Sequence, residues 1–204
     1  VGLRLVEKLD YLLWDAAPDP AALAGLARSV TVSVAAADVT PTLLMGKGSD
    51  LVALVEVWLD SLDTRASVEA CFSGRYDGYL VTESVPQTPS VATGLLTHLS
   101  WFPKPARLTD EEFYRGWHDG HTPTTAALHP LRVGYVRDAV ARVLTPGSPP
   151  VRGIVSEYFE AADYEDPRRL FGSKEAVQAA MDELPSYGDV GDMSCRPLWR
   201  GTPT

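Results

Sequence analysis

Four histidines carry the side chains best suited to proton transfer, and all of them lie in the second half of the chain: His98, His118, His121 and His129. An imidazole has an ordinary pKa of about 6.5, so it can accept or donate a proton at neutral pH. His121 lies near the end of a predicted helix and is the first candidate for a general acid or base. The alternative is a structural histidine that caps this helix. His129 lies in a predicted loop, and we expect it to be inert.

His118 precedes His121 by three residues, so both side chains lie on about the same side of a helix. Such a pair can hold a metal ion, but zinc requires further protein ligands, and the surrounding sequence supplies no acidic triplet. We therefore expect no metal at this pair. His118 is predicted either to be a solvated helix residue or to be a partner that tunes His121.

A second polar pair lies on a predicted strand, where His98 and Ser100 share one face while Leu99 and Trp101 share the other. If the Leu99 face packs beneath helices, His98 points to the opposite, inner face of the sheet. Buried polar groups there need a ligand or water, so His98 is the second candidate acid or base. With the opposite register, His98 would lie on the surface.

Tyr135 alternates with Val133 and Arg137 along another predicted strand. Its hydroxyl could donate a hydrogen bond to a developing oxyanion, or the ring could only pack. The chain has no phosphate-binding glycine loop, nucleophile turn or dinucleotide fingerprint. We therefore expect no cofactor.

The elements that must position these residues follow the order β-α-β-β-α-β. In the second half, Thr109 and Glu112 form a predicted capping box at the start of the helix that carries His121. The predicted elements are a strand at 95–102, a helix at 111–128 that stops before Pro123 or continues irregularly, strands at 131–137 and 153–160, a helix capped by Ser173, and a strand near 191–197.

The first half repeats this order. Segment 8–14 resembles segment 95–101, and each ends in tryptophan, while segment 54–60 resembles segment 154–160. The predicted elements are strands at 8–14, 29–35, 51–59 and 78–85 and helices at 20–28 and 61–71, the second helix being weak. A Pro/Thr/Ser-rich stretch at 82–90 is predicted to be a linker. We expect residues 1–90 to form a first, degenerate repeat and residues 91–204 a second.

The order β-α-β-β-α-β is the ferredoxin-like topology, which leaves one sheet face without helices. Two such faces in one chain can bury each other. The predicted fold class is α+β, with two fused ferredoxin-like βαββαβ units that form one α+β barrel as an intramolecular pseudo-dimer. A pocket is expected inside the barrel or between a sheet and its helices.

The second half resembles the EthD family of dimeric α+β barrel proteins. The residues that carry the resemblance are Phe113, Trp117, His121, Pro123, Tyr135 and Val136. Segment 56–60 of the first half matches a further acidic-aromatic strand of that family, but the first half lacks the Trp, His and Pro element. The resemblance covers about residues 95–200 well and the earlier residues weakly.

The resemblance implies a ligand pocket in a barrel that two identical chains usually form. Relatives include cofactor-free monooxygenases, polyketide cyclases, dehydratases and lyases. We expect His121, His98 and Tyr135 to be catalytic. The residues expected to contact the substrate are Trp117, His118, Ser100, Trp101, Glu56 and Trp58.

The predicted function is a cofactor-independent enzyme that acts on an aromatic or polyketide-like molecule by histidine-mediated proton transfer, as a cyclase, dehydratase or lyase. Two alternatives stay open: a cofactor-free monooxygenase, and a non-catalytic protein that binds a hydrophobic ligand. The expected partner is a small hydrophobic or aromatic molecule, and the chain could be a monomer or a homodimer.

Composition excludes several other classes of protein. The 204 residues carry 18 Lys+Arg against 27 Asp+Glu, a formal charge of −9, which disfavours nucleic-acid binding. No apolar run approaches the roughly 18 residues of a membrane span, and the first ten residues show no secretion signal. Cys71 and Cys195 are expected to be reduced thiols, so we predict a cytoplasmic protein.

Overall fold

The computed structural model describes residues 6–39, 46–90 and 94–201. The expected absence of a secretion signal at residues 1–5 and the start of the predicted second repeat at residues 91–93 lie outside this part of the chain. The described residues contain nine strands: β1 (Glu7–Leu13), β2 (Ser29–Ala35), β3 (Lys47–Gly48), β4 (Ala53–Leu59), β5 (Tyr76–Gln87), β6 (Leu96–Pro103), β7 (Gly134–Val143), β8 (Val151–Phe159) and β9 (Ser194–Trp199).

The helices of the same residues are short. They are α1 (Pro20–Leu23), α2 (Arg65–Glu69), α3 (Asp110–Tyr114), α4 (Thr122–Leu128), α5 (Ala161–Tyr164), α6 (Pro167–Leu170) and α7 (Lys174–Glu183). Tight 3₁₀ turns at Leu62–Thr64 and Leu184–Ser186 precede α2 and follow α7, and a π-helical turn at Arg115–His121 joins α3 to α4. Among these described helices, none has the length and apolar character needed to cross a membrane.

The strands form a closed antiparallel barrel of eight strands in the order β2-β4-β1-β5-β7-β8-β6-β9, and the short β3 pairs in parallel with β9. The barrel closes where β9 pairs with β2, through Val34 with Trp199 and Ala35 with Leu198. Closure pairs the strands that would otherwise be sheet edges. The chain therefore has a mixed α/β fold, and the strands of its two halves follow the same relative order.

Alternation along the strands separates a barrel interior from an outer face that carries helices. The interior is filled by large apolar side chains from both halves, among them Leu12, Leu54, Tyr79, Leu99, Ile154 and Leu198. On the outside, α1 and α2 pack over β1, β2 and β4 through Leu23 and Val68. The helices of the second half cover β6, β7 and β8 in the same way.

The linker prediction for residues 82–90 is wrong over residues 82–87. These residues continue β5, which pairs with β7 from Tyr79 opposite Val143 to Gln87 opposite Tyr135. Pro86 is tolerated because it falls within a register shift, where the ladder does not need its missing N–H. The first predicted helix is also shorter than expected, since α1 ends at Leu23.

The predicted capping box starts α3 as expected. The Thr109 hydroxyl accepts a hydrogen bond from the Glu112 amide at 3.2 Å, and the Glu112 carboxylate accepts one from the Thr109 amide at 2.8 Å. The helix then continues past Pro123 by widening, because the Thr122 amide donates to the Trp117 carbonyl, five residues earlier. The predicted Ser173 cap of α7 is also present, with the hydroxyl accepting from the Ala176 amide.

Candidate active site

A cavity of about 70 Å³ lies between the outer face of β6, β7 and β8 and the helices that cover it. Its apolar wall includes Phe102, Trp117, Phe159, Phe171 and Leu184. Its polar groups come from His98, Ser100, His121, His129, Tyr135 and Glu157. The fold thus brings together His121, His98 and Tyr135, the three residues predicted to be catalytic, with Trp117 and Ser100.

His98 reaches this cavity from the face of β6 opposite to the one that we expected to lie under the helices. Leu99 and Trp101 belong to the barrel interior, whereas His98 and Ser100 face the helices. The expectation that His98 looks into the barrel is therefore wrong. Alternation shows which residues share a face, but tertiary packing decides which face is turned inward.

The His98 ring is held by a tyrosine. Its Nδ1 lies 2.9 Å from the Tyr164 hydroxyl, and only 6% of the side chain is exposed. Burial lowers the pKa of His98, which outweighs the opposite effect of the Glu157 charge. The imidazole is accordingly neutral at pH 7.

His121 is the last residue of the π-helical turn, and its ring is oriented by α7. Nδ1 lies 3.1 Å from Glu183 Oε2, and the ring centroid lies 4.8 Å from that of Tyr187. Because a carboxylate only accepts hydrogen bonds, Nδ1 carries the proton and Nε2 keeps its lone pair. Nε2 has no hydrogen-bond partner among the described residues. Burial lowers the pKa of His121, and Glu183 offsets part of that effect.

Gly116 explains how the π-helical turn can approach the segment after α7. A Cβ atom at Gly116 would overlap the carbonyl oxygen of Ser186, so only glycine allows this contact. The approach places Trp117 beside Leu184 and Tyr187 in one cluster. Gly116 thus allows the π-helical turn to pack closely against the segment after α7.

Glu157 is a buried carboxylate that the sequence reasoning did not select. Arg132 Nη1 lies 2.5 Å from Glu157 Oε1, and the guanidinium lies 4.3 Å from the centroid of the Tyr135 ring. Burial alone would raise the pKa of Glu157, but the neighbouring His129, Arg132 and His98 side chains together lower it to about 2. Glu157 is therefore a fixed negative charge in the cavity wall at neutral pH.

Tyr135 contributes a hydroxyl that is an unusually weak acid. Burial, followed by the charge of Glu157, raises the pKa of Tyr135 to about 12. Its oxygen is buried and makes no hydrogen bond of good geometry with the described residues, although the Thr122 hydroxyl lies close enough to lower its pKa. A neutral, unengaged hydroxyl can donate to a substrate oxygen.

An outer depression of about 290 Å³ adjoins the cavity. It is lined by Gln87, Thr122 and Arg132, and it shares His129 with the inner cavity. The inner volume is well below the roughly 300–1,000 Å³ of typical ligand sites. A ring-sized ligand must therefore displace side chains between the two spaces, and His129 is a residue that lines both.

Four residues predicted to contact a substrate lie outside this cavity. His118 packs against Tyr114 and Trp117, with ring centroids 5.3 and 4.7 Å away, and does not line the cavity. Trp101 lies at the barrel mouth in a cleft of about 820 Å³. Glu56 and Trp58 lie near the Lys8 ammonium, at 3.0 Å and 5.0 Å, inside the barrel.

The residues that the sequence reasoning missed are Glu157, Glu183, Arg132 and Tyr164. The sequence could have indicated Glu157 as a buried charge, because its neighbours on the same face of the strand, Val155 and Phe159, are apolar. A charged residue on an apolar strand face indicates a buried partner. Glu183 gave no such signal, since 62 residues separate it from His121.

The arrangement can take a proton from a bound molecule and stabilise the resulting oxyanion. It offers a neutral imidazole with an oriented lone pair, a weakly acidic hydroxyl and apolar walls that exclude water. Carbon acids with a carbonyl or aryl neighbour are the substrates that these groups suit.

Comparisons with known proteins agree with this architecture. Residues 105–187 match the family model described as EthD domain. Among solved structures, the chain is similar to an anthrone oxidase-like protein, with 11% identity, a TM-score of 0.59 and coverage of 98% of this chain and 93% of the other. It is also similar to a candidate monooxygenase from Fusobacterium nucleatum subsp. nucleatum ATCC 25586, with 7% identity, a TM-score of 0.55 and coverage of 97% and 93%. No curated protein matches the sequence. At these identities the likeness concerns the fold alone.

Proposed function

We propose that the chain is a cofactor-independent enzyme that removes a proton from a small carbon acid of aromatic or polyketide type, with His121 as the base. The supporting observation is the position of His121: its ring lines a largely apolar cavity, and Glu183 holds it so that the unprotonated Nε2 is available. His98 and Tyr135 lie in the same cavity. Tyr135 donates to the oxygen that gains charge, and His98 is the second acid or base.

The fate of the carbanion distinguishes the candidate reactions. Cyclisation, loss of water and other eliminations each follow from the same first step. The descriptions of the two structural neighbours favour oxidation by molecular oxygen as the second candidate. In that reaction a ring methylene loses its proton to His121, the carbanion donates its electron pair to oxygen, and the hydroperoxide that forms loses water to leave a ketone. One methylene group and one molecule of oxygen thus give one ketone and one molecule of water.

We also propose that the barrel is an intramolecular pseudo-dimer of residues 1–90 and 91–204. Each half orders its strands in the same way, β2-β4-β1-β5 in the first and β7-β8-β6-β9 in the second. The first half would be the degenerate copy, because its helices α1 and α2 have four and five residues and carry no histidine.

Oxygen consumption with anthrone as the probe tests the oxidative form of the proposal. The purified chain should consume oxygen and release anthraquinone, and His121→Ala should slow this by roughly 10²–10⁴-fold. His118→Ala is the matched control, since it removes an imidazole from the same turn outside the cavity. Equal rates for the wild type and His121→Ala would refute the assignment of the base, and anthrone conversion without oxygen uptake would refute oxidation.

A further inference from the structure

Four carboxylates face one ammonium group inside the barrel, away from the histidine cavity. Asp10 lies directly opposite Glu56 across β1 and β4, and Glu83 lies opposite Asp138 across β5 and β7. Like charges at directly opposite positions destabilise a sheet. Lys8 Nζ lies 3.0 Å from Glu56, 2.7 Å from Glu83 and 2.8 Å from Asp138. One ammonium group therefore lies among four carboxyl groups.

Asp10 is the carboxylate that this ammonium does not satisfy. Its side chain is fully buried, and neither oxygen accepts a hydrogen bond from the described residues. Lys8 Nζ is 3.9 Å away, beyond hydrogen-bonding distance. Asp138 Oδ1 is buried without a partner among the described residues as well. Since buried polar atoms are nearly always bonded, these oxygens need a partner, which a bound cation or a proton can supply.

The spacing of the oxygens fits one ion. One carboxylate oxygen from each of Asp10, Glu56 and Asp138 lies within 4.8 Å of the others. Magnesium and calcium bind oxygen at about 2.0–2.6 Å, so a single ion between the three groups could reach all of them. A set of carboxylate oxygens without nitrogen or sulfur suits hard divalent ions such as Mg²⁺, Mn²⁺ and Ca²⁺.

We propose that the barrel interior binds one hard divalent cation through Asp10, Glu56 and Asp138. The Lys8 ammonium, which lies among these groups, would shift towards Glu83, its nearest partner, whose side chain is 30% exposed. The site is separate from the histidine cavity, where we expect no metal. It does not depend on the proposed reaction.

Protons are the competing occupants. Burial and the charge of Asp138 raise the pKa of Asp10, and burial, reduced by Lys8, raises the pKa of Asp138 to about 6. A cluster that holds only protons would leave the same structure without binding metal. The experiment must therefore separate these two occupants.

Mn²⁺ binding to the full chain, freed of metal with EDTA, makes this separation. Electron paramagnetic resonance of free Mn²⁺ should show one bound ion per chain, and Mn²⁺ should raise the melting temperature. Asp10→Asn should weaken binding at least tenfold. Asp163→Asn is the control, because it removes another buried carboxylate, which pairs with Arg169 outside this cluster, and should bind like the wild type.

Lys8→Met provides a second test, since it vacates the space beside the carboxylates. This variant should bind Mn²⁺ at least tenfold more tightly than the wild type, and its folding should become dependent on the ion. No stoichiometric Mn²⁺ binding by the wild type, with a melting temperature that Mn²⁺ leaves unchanged, would overturn the proposal and leave protons as the occupants.

Discussion

The pairing of His121 with Glu183 decides which nitrogen of the ring can act as the base. Glu183 accepts from Nδ1 and leaves Nε2 to the cavity. It also raises the pKa of His121 against the larger, opposite effect of burial. In the proposed reaction Glu183 is thus a positioning residue, and its removal should alter the pH dependence of turnover as well as the rate.

Glu183→Gln should lower the pKa of His121 further, because the neutral amide no longer stabilises the imidazolium. The acid limb of the rate profile, where His121 becomes protonated, should move to lower pH, and the rate on the plateau should fall by roughly tenfold through loss of orientation. Steady-state rates with anthrone between pH 4 and 8 check this. Gln178→Ala, also on α7, is the control, and an acid limb that stays in place in Glu183→Gln would contradict the role.

Sequence alone could single out His121 as a candidate but not the groups that contact its ring. The spacing of Phe113, Trp117, His121 and Pro123 marks the histidine as part of a motif. Glu183 lies 62 residues further along, on a helix whose polar positions all look alike from the sequence. Tertiary packing alone determines that Glu183 is the glutamate that contacts the His121 ring.

At the scale of elements, the π-helical turn is the feature that positions the site. Its wider turn keeps the helix continuous past Pro123 and places Trp117 and His121 over the sheet. Gly116 permits the close contact with Ser186, which lies between Leu184 and Tyr187, two residues that line the cavity.

Gly116→Ala should therefore destabilise the protein by about 1–3 kcal/mol, because the added methyl group overlaps a backbone oxygen that cannot move freely. Gly120→Ala is a matched control in the same turn, where a Cβ would lie 3.8 Å from the nearest atom, the Arg115 carbonyl oxygen. Urea unfolding of both variants measures the difference. Equal stabilities would show that the close approach at Gly116 has no energetic role.

The elements were more predictable than their orientation. Residues 29–35 are the strand β2 as predicted, and the strands 95–102 and 153–160 differ from β6 and β8 by one or two residues at their ends. Period-two alternation gives such strands directly. Alternation does not show which face of β6 is turned into the barrel, and for that reason the prediction for His98 was wrong.

For the whole molecule, the wall of the closed barrel separates two polar sites. The histidine cavity lies outside the sheet, and the Lys8 cluster lies inside it. The sequence suggests the barrel through its repeated order of elements. It gives no hint that Lys8 meets Asp138, because 130 residues separate them and neither belongs to a motif.

Stability should respond to pH through the buried histidines. Because the pKa of His98 is lowered in the folded protein, the unfolded chain binds a proton more strongly, and this contribution to stability is lost as pH falls below about 6.5. Other buried groups titrate in the same range, so the effect is read from the difference between the wild type and His98→Gln.

The free energy of unfolding of His98→Gln minus that of the wild type should increase as the pH falls from 7.5 to 5, because the wild type alone loses the His98 contribution. Urea denaturation at both pH values, followed by tryptophan fluorescence, measures this difference. A difference that stays constant across this range would show that His98 keeps an ordinary pKa and is not buried as described.

The most direct test of the central claim is proton transfer itself, measured without oxygen. Deuterium uptake at the methylene carbon of anthrone, followed by NMR in anaerobic heavy water, reports deprotonation whatever the later reaction. We predict that the wild type and His118→Ala accelerate exchange well above the rate in buffer, and that His121→Ala returns it to the buffer rate. Exchange that is as fast with His121→Ala as with the wild type would contradict the account.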